Sequence, residues 1–147
     1  MNTRDTLYVK DQQLIIGGIA AEELAKKFGT PLYVLDEDYI RKVSRAFLEG
    51  LKSGYGQDNV AVTYASKALC TTAVLKITSS EGLYTDVVSG GELYAAQCAG
   101  VNPEHVIFHG NNKTDGELTA ALSWGVGYIV VDSFCEIDRL KRLCGEL

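Results

Sequence analysis

From residue 31 onward the chain alternates two patterns. Short apolar runs, rich in β-branched and aromatic residues, are followed by longer stretches in which apolar positions recur every three or four residues. The runs at 31–35, 60–66, 83–88, 106–109 and 128–131 read as strands, the stretches after them as helices. Ile40, Val43, Phe47 and Leu51 form the stripe of the first helix, Val74, Leu75 and Thr78 that of the second, and Leu93, Ala96 and Ala99 that of the third. Leu118, Ala121, Leu122 and Trp124 mark the fourth, Ile137, Leu140 and Leu143 the fifth. Punctuation agrees with periodicity. Asp36 or Asp38, and Thr71 or Thr72, stand where N-caps are needed, while Ser89…Glu92, Thr114…Glu117 and Ser133…Glu136 have the spacing of capping boxes. Gly54 and Gly56, Gly82, Gly100 and Gly125 close four of the helices. Residues 1–28 begin irregularly, with Leu7-Tyr8-Val9 and Leu14-Ile15-Ile16 among polar neighbours and Gly17-Gly18 as a turn. A short helix over 20–28 follows, with Gly29 at its C-cap and Pro31 as a stop.

Five strand–helix units in succession imply parallel pairing through right-handed crossovers, hence an α/β fold. Two arrangements satisfy that order. An open, doubly wound parallel sheet of five strands fits 147 residues comfortably, whereas a TIM barrel needs eight units and about 250 residues. Length favours the sheet. The ending, Gly145-Glu146-Leu147 directly after a helix, favours a barrel cut at a unit boundary. No linker or low-complexity segment divides the chain, and a second full domain is not expected.

Composition narrows the partners. Hydrophobic residues make up 46% and charged residues 22%, the balance of a water-soluble globular protein, and the net charge of −5 without a Lys/Arg cluster argues against nucleic acid and anionic membranes. No apolar run approaches the roughly 20 residues that span a bilayer. Residues 1–11 lack the charged-then-apolar layout of a secretory signal, so a cytoplasmic protein is expected. The four cysteines form no CxxC pair, and reduced, buried core thiols are the expectation, with no metal site.

In either arrangement ligands bind at the C-terminal ends of the parallel strands. The residues there are Asp36, Ser66-Lys67, 86–89, 109–113 and Asp132-Ser133. Capping accounts for Ser89, Thr114, Ser133 and one early aspartate. Gly90-Gly91 at a helix start would let a phosphate approach, or equally a close helix contact. Lys67, Asp86 and His109-Gly110-Asn111-Asn112-Lys113 are left over. Alternation along 60–68 puts Lys67 on one face with Ala61, Thr63 and Ala65, small residues that leave a cavity open. A lysine at a strand end ordinarily points into water, and that stretch alone implies no more. In a walled cavity it would lose its charge readily, and the neutral amine is the form that adds to an aldehyde. Asp86, one unit on, is placed to pair with it. His109 opens a turn tolerant of unusual backbone angles, which by itself reads as a hydrogen-bonded turn histidine.

Four segments, 29–36, Tyr64-Ala65-Ser66-Lys67-Ala68, 86–92 and His109-Gly110-Asn111-Asn112-Lys113, stand in the order and spacing of diaminopimelate decarboxylase. The chain resembles that family of alanine-racemase-like (fold type III) pyridoxal-phosphate enzymes from about Leu14 to its end. The resemblance implies a partial TIM (β/α)8 barrel, the first five βα units, with Lys67 as the Schiff-base lysine and Asp86 and His109 beside pyridoxal 5'-phosphate. It implies a lyase of lysine biosynthesis, converting meso-diaminopimelate to L-lysine and CO2, cytoplasmic and homodimeric as the full-length parent. Ornithine- and arginine-type decarboxylases share the plan and differ at 109–113.

Departures from the family pattern matter as much. The family's cofactor-ring histidine, glycine-rich phosphate loop and pyridine-nitrogen glutamate lie on later strands, and a C-terminal β-domain completes the neighbouring subunit's site. None falls within these 147 residues. Residues 1–29 resemble the segment that pairs with that β-domain, and 30–147 an incomplete cofactor-binding barrel domain. The expectation is therefore the first portion of a decarboxylase, inactive alone, weak in cofactor binding and prone to associate. A truncated, non-catalytic binding module is the alternative.

Overall fold

A computed structural model describes residues 6–56 and 60–146. It contains two sheets. The first is antiparallel: β1 (Leu7–Lys10), β2 (Gln13–Ile16) and β3 (Ile19–Ala20) pair in chain order, with Lys10 opposite Gln13 and Ile16 opposite Ile19. The stretch read as irregular is thus a pair of two-residue hairpins. Asp11 and Gln12 carry φ of 49° and 63° and Gly17 and Gly18 φ of 56° and 84°, positive at both central positions as the turn that matches strand twist requires. Helix α1 (Ala21–Phe28) follows, ending at Gly29 as expected.

The second sheet is parallel, ordered β4 (Thr63–Ala65), β5 (Tyr84–Val87), β6 (Val106–Phe108), β7 (Tyr128–Ile129). Between its strands run α3 (Thr72–Ser80), α4 (Gly90–Ala99) and α5 (Asp115–Trp124), with α2 (Glu37–Tyr55) before β4 and α6 (Phe134–Glu146) after β7. This is the α/β fold of the opening part of a barrel, unclosed. Residues 31–35 form no ladder with it, and Tyr33 is 99% exposed, so the paired parallel strands number four where the apolar runs suggested five. An apolar, β-prone run is only a strand when a partner's free backbone edge lies beside it, and β4 starts at Thr63, leaving 60–62 outside the ladder.

Register divides the sheet into two faces. Thr85 and Val106 lie abreast, as do Val87, Phe108 and Ile129; all but Ile129 are fully buried, against α3, α4 and α5. With Leu75, Leu93, Ala96, Val101 and Ala121 they make the core, each large side chain contributing about 1.5–3 kcal/mol by leaving water. Ala65, Asp86, Ile107 and Tyr128 line the other face. No helix covers it among the described residues.

Caps hold the helices at their start. Asp36, Thr71, Ser89, Thr114 and Ser133 each accept a backbone N–H from three residues on. Among the described residues only Thr114 and Glu117 close a full reciprocal box. Glu92 and Glu136 instead accept from Val88 and Asp132, the residues just before their caps, at 2.6 and 2.9 Å. The cysteines depart from expectation: Cys98, Cys135 and Cys144 are exposed and Cys70 half-buried against the core. Helical stripes two or three positions wide leave the remaining positions to solvent, and a small apolar residue tolerates that cheaply.

Candidate active site

The parallel strands end on one rim, and each end carries a different chemistry. After β4 the backbone curls into a 3₁₀ turn, Ser66–Ala68, with the Leu69 N–H returning to Ser66 O at 3.0 Å. The curl ends the alternation at Ala65. Lys67 therefore does not extend the Ala61–Thr63–Ala65 face but projects from the turn itself, exposed and without a hydrogen bond or ion pair among the described residues. Ser66 is the anchor beneath it, fully buried, its Oγ without a hydrogen-bond partner, near enough to Cys70 to hold that thiol down while burial pushes it up more strongly.

Asp86 sits abreast of Ala65 on the open face of β5, half-buried. The expected ion pair with Lys67 is absent. The amine is on the curl, two residues beyond Ala65, the register partner of Asp86, so the two share a rim without touching. His109 follows β6, its backbone N–H donating to Val87 O at 2.8 Å and its side chain exposed. Gly110 then turns with φ of 120°, and a Cβ there would stand 3.1 Å from Val88 O, so glycine is required both by conformation and by the approach of the neighbouring strand end.

Gly90 has a different reason for being glycine than a phosphate. Its N–H donates to Glu117 Oε1 at 2.6 Å, and a Cβ would meet Glu117 Cγ at 3.1 Å. A carboxylate already occupies the start of α4. The same carboxylate accepts from Thr114 N–H, and these amide donors hold it below the usual range.

Of the 109–113 group that capping left over, Lys113 has a partner that sequence reasoning did not find. Its side chain is 1% exposed and its ammonium lies 3.0 Å from Glu136 Oε1, itself on a 5% exposed side chain. Glu136 pays for burial with an upward push that the Asp132 N–H and Lys113 outweigh, leaving its carboxyl below the ordinary value. Nothing in the residues around 113 or 136 marked them as partners, since 23 positions separate them and Glu136 already had a capping role available.

An exposed unpaired amine, a half-buried carboxylate and an imidazole on one rim suit a cofactor that presents an aldehyde to an amine and a ring to acidic and basic neighbours. No cluster of metal-ligating side chains occurs among the described residues. Residues 37–147 match the family model described as "Pyridoxal-dependent decarboxylase, pyridoxal binding domain". The chain belongs to this family. It is 49% identical over 133 residues to diaminopimelate decarboxylase of Bacillus subtilis, a match covering 90% of this chain and 30% of that protein. The Mycobacterium bovis enzyme of the same name is 45% identical over 144 residues, covering 98% and 30%. Among solved structures, diaminopimelate decarboxylase from M. jannaschii in complex with L-lysine superimposes with TM-score 0.90 at 35% identity, over 99% of this chain and 34% of that one. Lysine/ornithine decarboxylase from Vibrio vulnificus complexed with putrescine gives 0.70 at 30% identity, over 82% and 32%. The chain thus spans about 30% of the length of the curated relatives it matches. No helix among the described residues is long and apolar enough to cross a membrane.

Proposed function

We propose that this chain supplies the lysine-bearing part of a diaminopimelate decarboxylase, which removes CO2 from meso-2,6-diaminopimelate to leave L-lysine. The observation that carries the reading is Lys67: an exposed amine, engaged by no neighbour among the described residues, on the rim shared by Asp86 and His109. Relatives at 45–49% identity named for that activity support the choice of substrate over ornithine, and the lysine/ornithine decarboxylase is less similar in both sequence and shape than the M. jannaschii enzyme.

In this reading Lys67 would hold pyridoxal phosphate, its side-chain amine joined to the cofactor's aldehyde carbon. Pyridoxal phosphate supplies a conjugated ring that accepts the electron pair left when CO2 departs. Asp86, abreast of Ala65, would supply a negative charge on the cofactor-facing rim, and His109 would border the same space. The phosphate would be held elsewhere than at α4, where the N–H groups of Gly90 and Glu92 are engaged by Glu117 and Ser89. Residues 1–29 form one unit and 30–147 the cofactor-binding unit, and the whole enzyme is a cytoplasmic homodimer.

The test uses the enzyme containing this chain together with the later strands, offered meso-diaminopimelate and ornithine in parallel. CO2 release from the first, abolished by Lys67→Ala, is expected. Faster release from ornithine, or activity surviving Lys67→Ala, rejects the assignment. The 147-residue chain alone is expected to release none.

A further inference from the structure

Lys113 and Glu136 are the most deeply buried charges among the described residues, and the Lys113 ammonium lies 5.8 Å from the centre of the core-packed Phe108 ring. The Lys113 ammonium has three protons and meets three acceptors: Gly110 O, Val130 O at 2.9 Å and Glu136 Oε1 at 3.0 Å. Gly110 belongs to the exit of β6, Val130 to the exit of β7, and Glu136 to the first turn of α6. The second carboxylate oxygen of Glu136 accepts the N–H of Asp132 at 2.9 Å. Arg139 closes the outside, donating to Lys113 O at 2.6 Å and pairing with Asp115 at 2.6 Å. One ammonium and one carboxylate therefore join two neighbouring strand ends and the helix that follows.

The ladder gives this region little help. β6 and β7 share two register pairs, Ile107 with Tyr128 and Phe108 with Ile129, extended by one bond from Val130 N–H to Phe108 O. Beyond that point the strands diverge into loops carrying His109 and Asp132. A buried ion pair is generally no more stabilising than apolar side chains of the same volume, so stability alone does not call for charges here. Fixed direction does, because an ammonium with three filled acceptors admits one geometry where a methionine admits many.

We propose that Lys113 and Glu136 are positioning residues, a clasp that fixes the separation of the β6 and β7 exits and thereby the seat of the His109 turn on the cofactor-facing rim. The clasp is a statement about this chain. Its consequence for the cofactor rests on the reading of Lys67 given above.

The experiment has two arms, run on wild type, Lys113→Met and the double variant Lys113→Met/Glu136→Leu, which leaves no buried charge unpaired should the single variant fold poorly. In the first, amide hydrogen exchange is followed by residue. The clasp predicts at least tenfold faster exchange in both variants at His109 and Val130, whose N–H groups bond Val87 O and Phe108 O at the two strand exits, with Leu75, Ala96 and Val106 within twofold of wild type. Unchanged rim exchange, a uniform rise across all elements, or wild-type rim protection in the double variant overturns the proposal. In the second, each protein is incubated with pyridoxal phosphate, reduced with borohydride, and the fraction of Lys67 carrying the label is measured by peptide mass. A fall of at least fivefold in the variants is expected, and equal labelling refutes the link to the cofactor. Absence of label on wild-type Lys67 would sink the functional reading and leave the clasp to be decided by exchange.

Discussion

Gly127 is a severe test of the packing at the entry to β7. Its backbone is not in a left-handed conformation, so any residue could adopt its angles, yet a Cβ placed there would lie 2.1 Å from Glu104 O and 2.8 Å from Glu104 C. Ordinary Cβ contacts begin near 3.4 Å, so alanine would force the two backbones apart by about 1.3 Å (3.4 − 2.1). The hydrogen bond from Gly127 N–H to Pro103 O, 2.9 Å long, would break, and the short β6–β7 ladder that begins at the next residue would be strained. Losing two or three backbone hydrogen bonds at about 1 kcal/mol each, with about 1–3 kcal/mol of overpacking, gives about 3–5 kcal/mol for Gly127→Ala. Gly100→Ala is the control. Gly100 has φ of 73° with nothing within 4 Å of its Cβ direction, so it suffers the left-handed penalty alone, about 1–2 kcal/mol. Urea denaturation followed by far-ultraviolet circular dichroism separates them, since a slope of about 2 kcal/mol per molar turns these costs into midpoint drops of about 2 M and below 1 M. A Gly127→Ala midpoint equal to or above that of Gly100→Ala would refute the close approach of 104 and 127.

Acid titration tests the link between α2 and α3. Glu81 accepts from Arg45 at 2.5 Å and Arg41 at 2.7 Å, which lowers its carboxyl to about 2 from 4.5. A depressed folded value stabilises above the unfolded one and is lost as pH falls through the folded one, so Glu81→Gln should be less stable than wild type at pH 7, with the gap closing from about pH 4.5 toward pH 2. A pH-independent gap between the two denaturation midpoints would show that the arginines are not the cause. Thr85 is fully buried with an unpartnered hydroxyl, so Thr85→Val, nearly the same shape, should raise stability by about 1–2 kcal/mol in the same urea assay. A loss there would mean that the hydroxyl has a partner.

Much of the helical framework was legible because several independent signals coincided. Caps at Ser89, Thr114 and Ser133, three-to-four spacing of apolar residues, and glycines at 56, 100 and 125 in left-handed conformations all mark the same boundaries. Where a single signal stood alone, it misled. Residues 31–35 have strand composition but no paired edge, and Asp11-Gln12 makes a tight hairpin without the glycine that usually announces one. The alternation that placed Lys67 on the small face assumed that β4 ran through it, whereas a local 3₁₀ hydrogen bond at Ser66 won. Glu92 and Glu136 look like capping partners in sequence, but a glutamate reaches either the cap or the residue before it, and spacing does not distinguish the two. Pairings between distant residues, such as Lys113 with Glu136, depend on how strands stack side by side and leave no trace in local pattern.

The central claim is that Lys67, of all the lysines here, is the one offered to the cofactor. Borohydride reduction of the protein with pyridoxal phosphate, then proteolysis and mass analysis, reads it directly. Label concentrated on the peptide containing Lys67, and lost in Lys67→Ala without transfer to another site, is the predicted result. Label spread over the exposed lysines in proportion to their accessibility, and undiminished in Lys67→Ala, would contradict it.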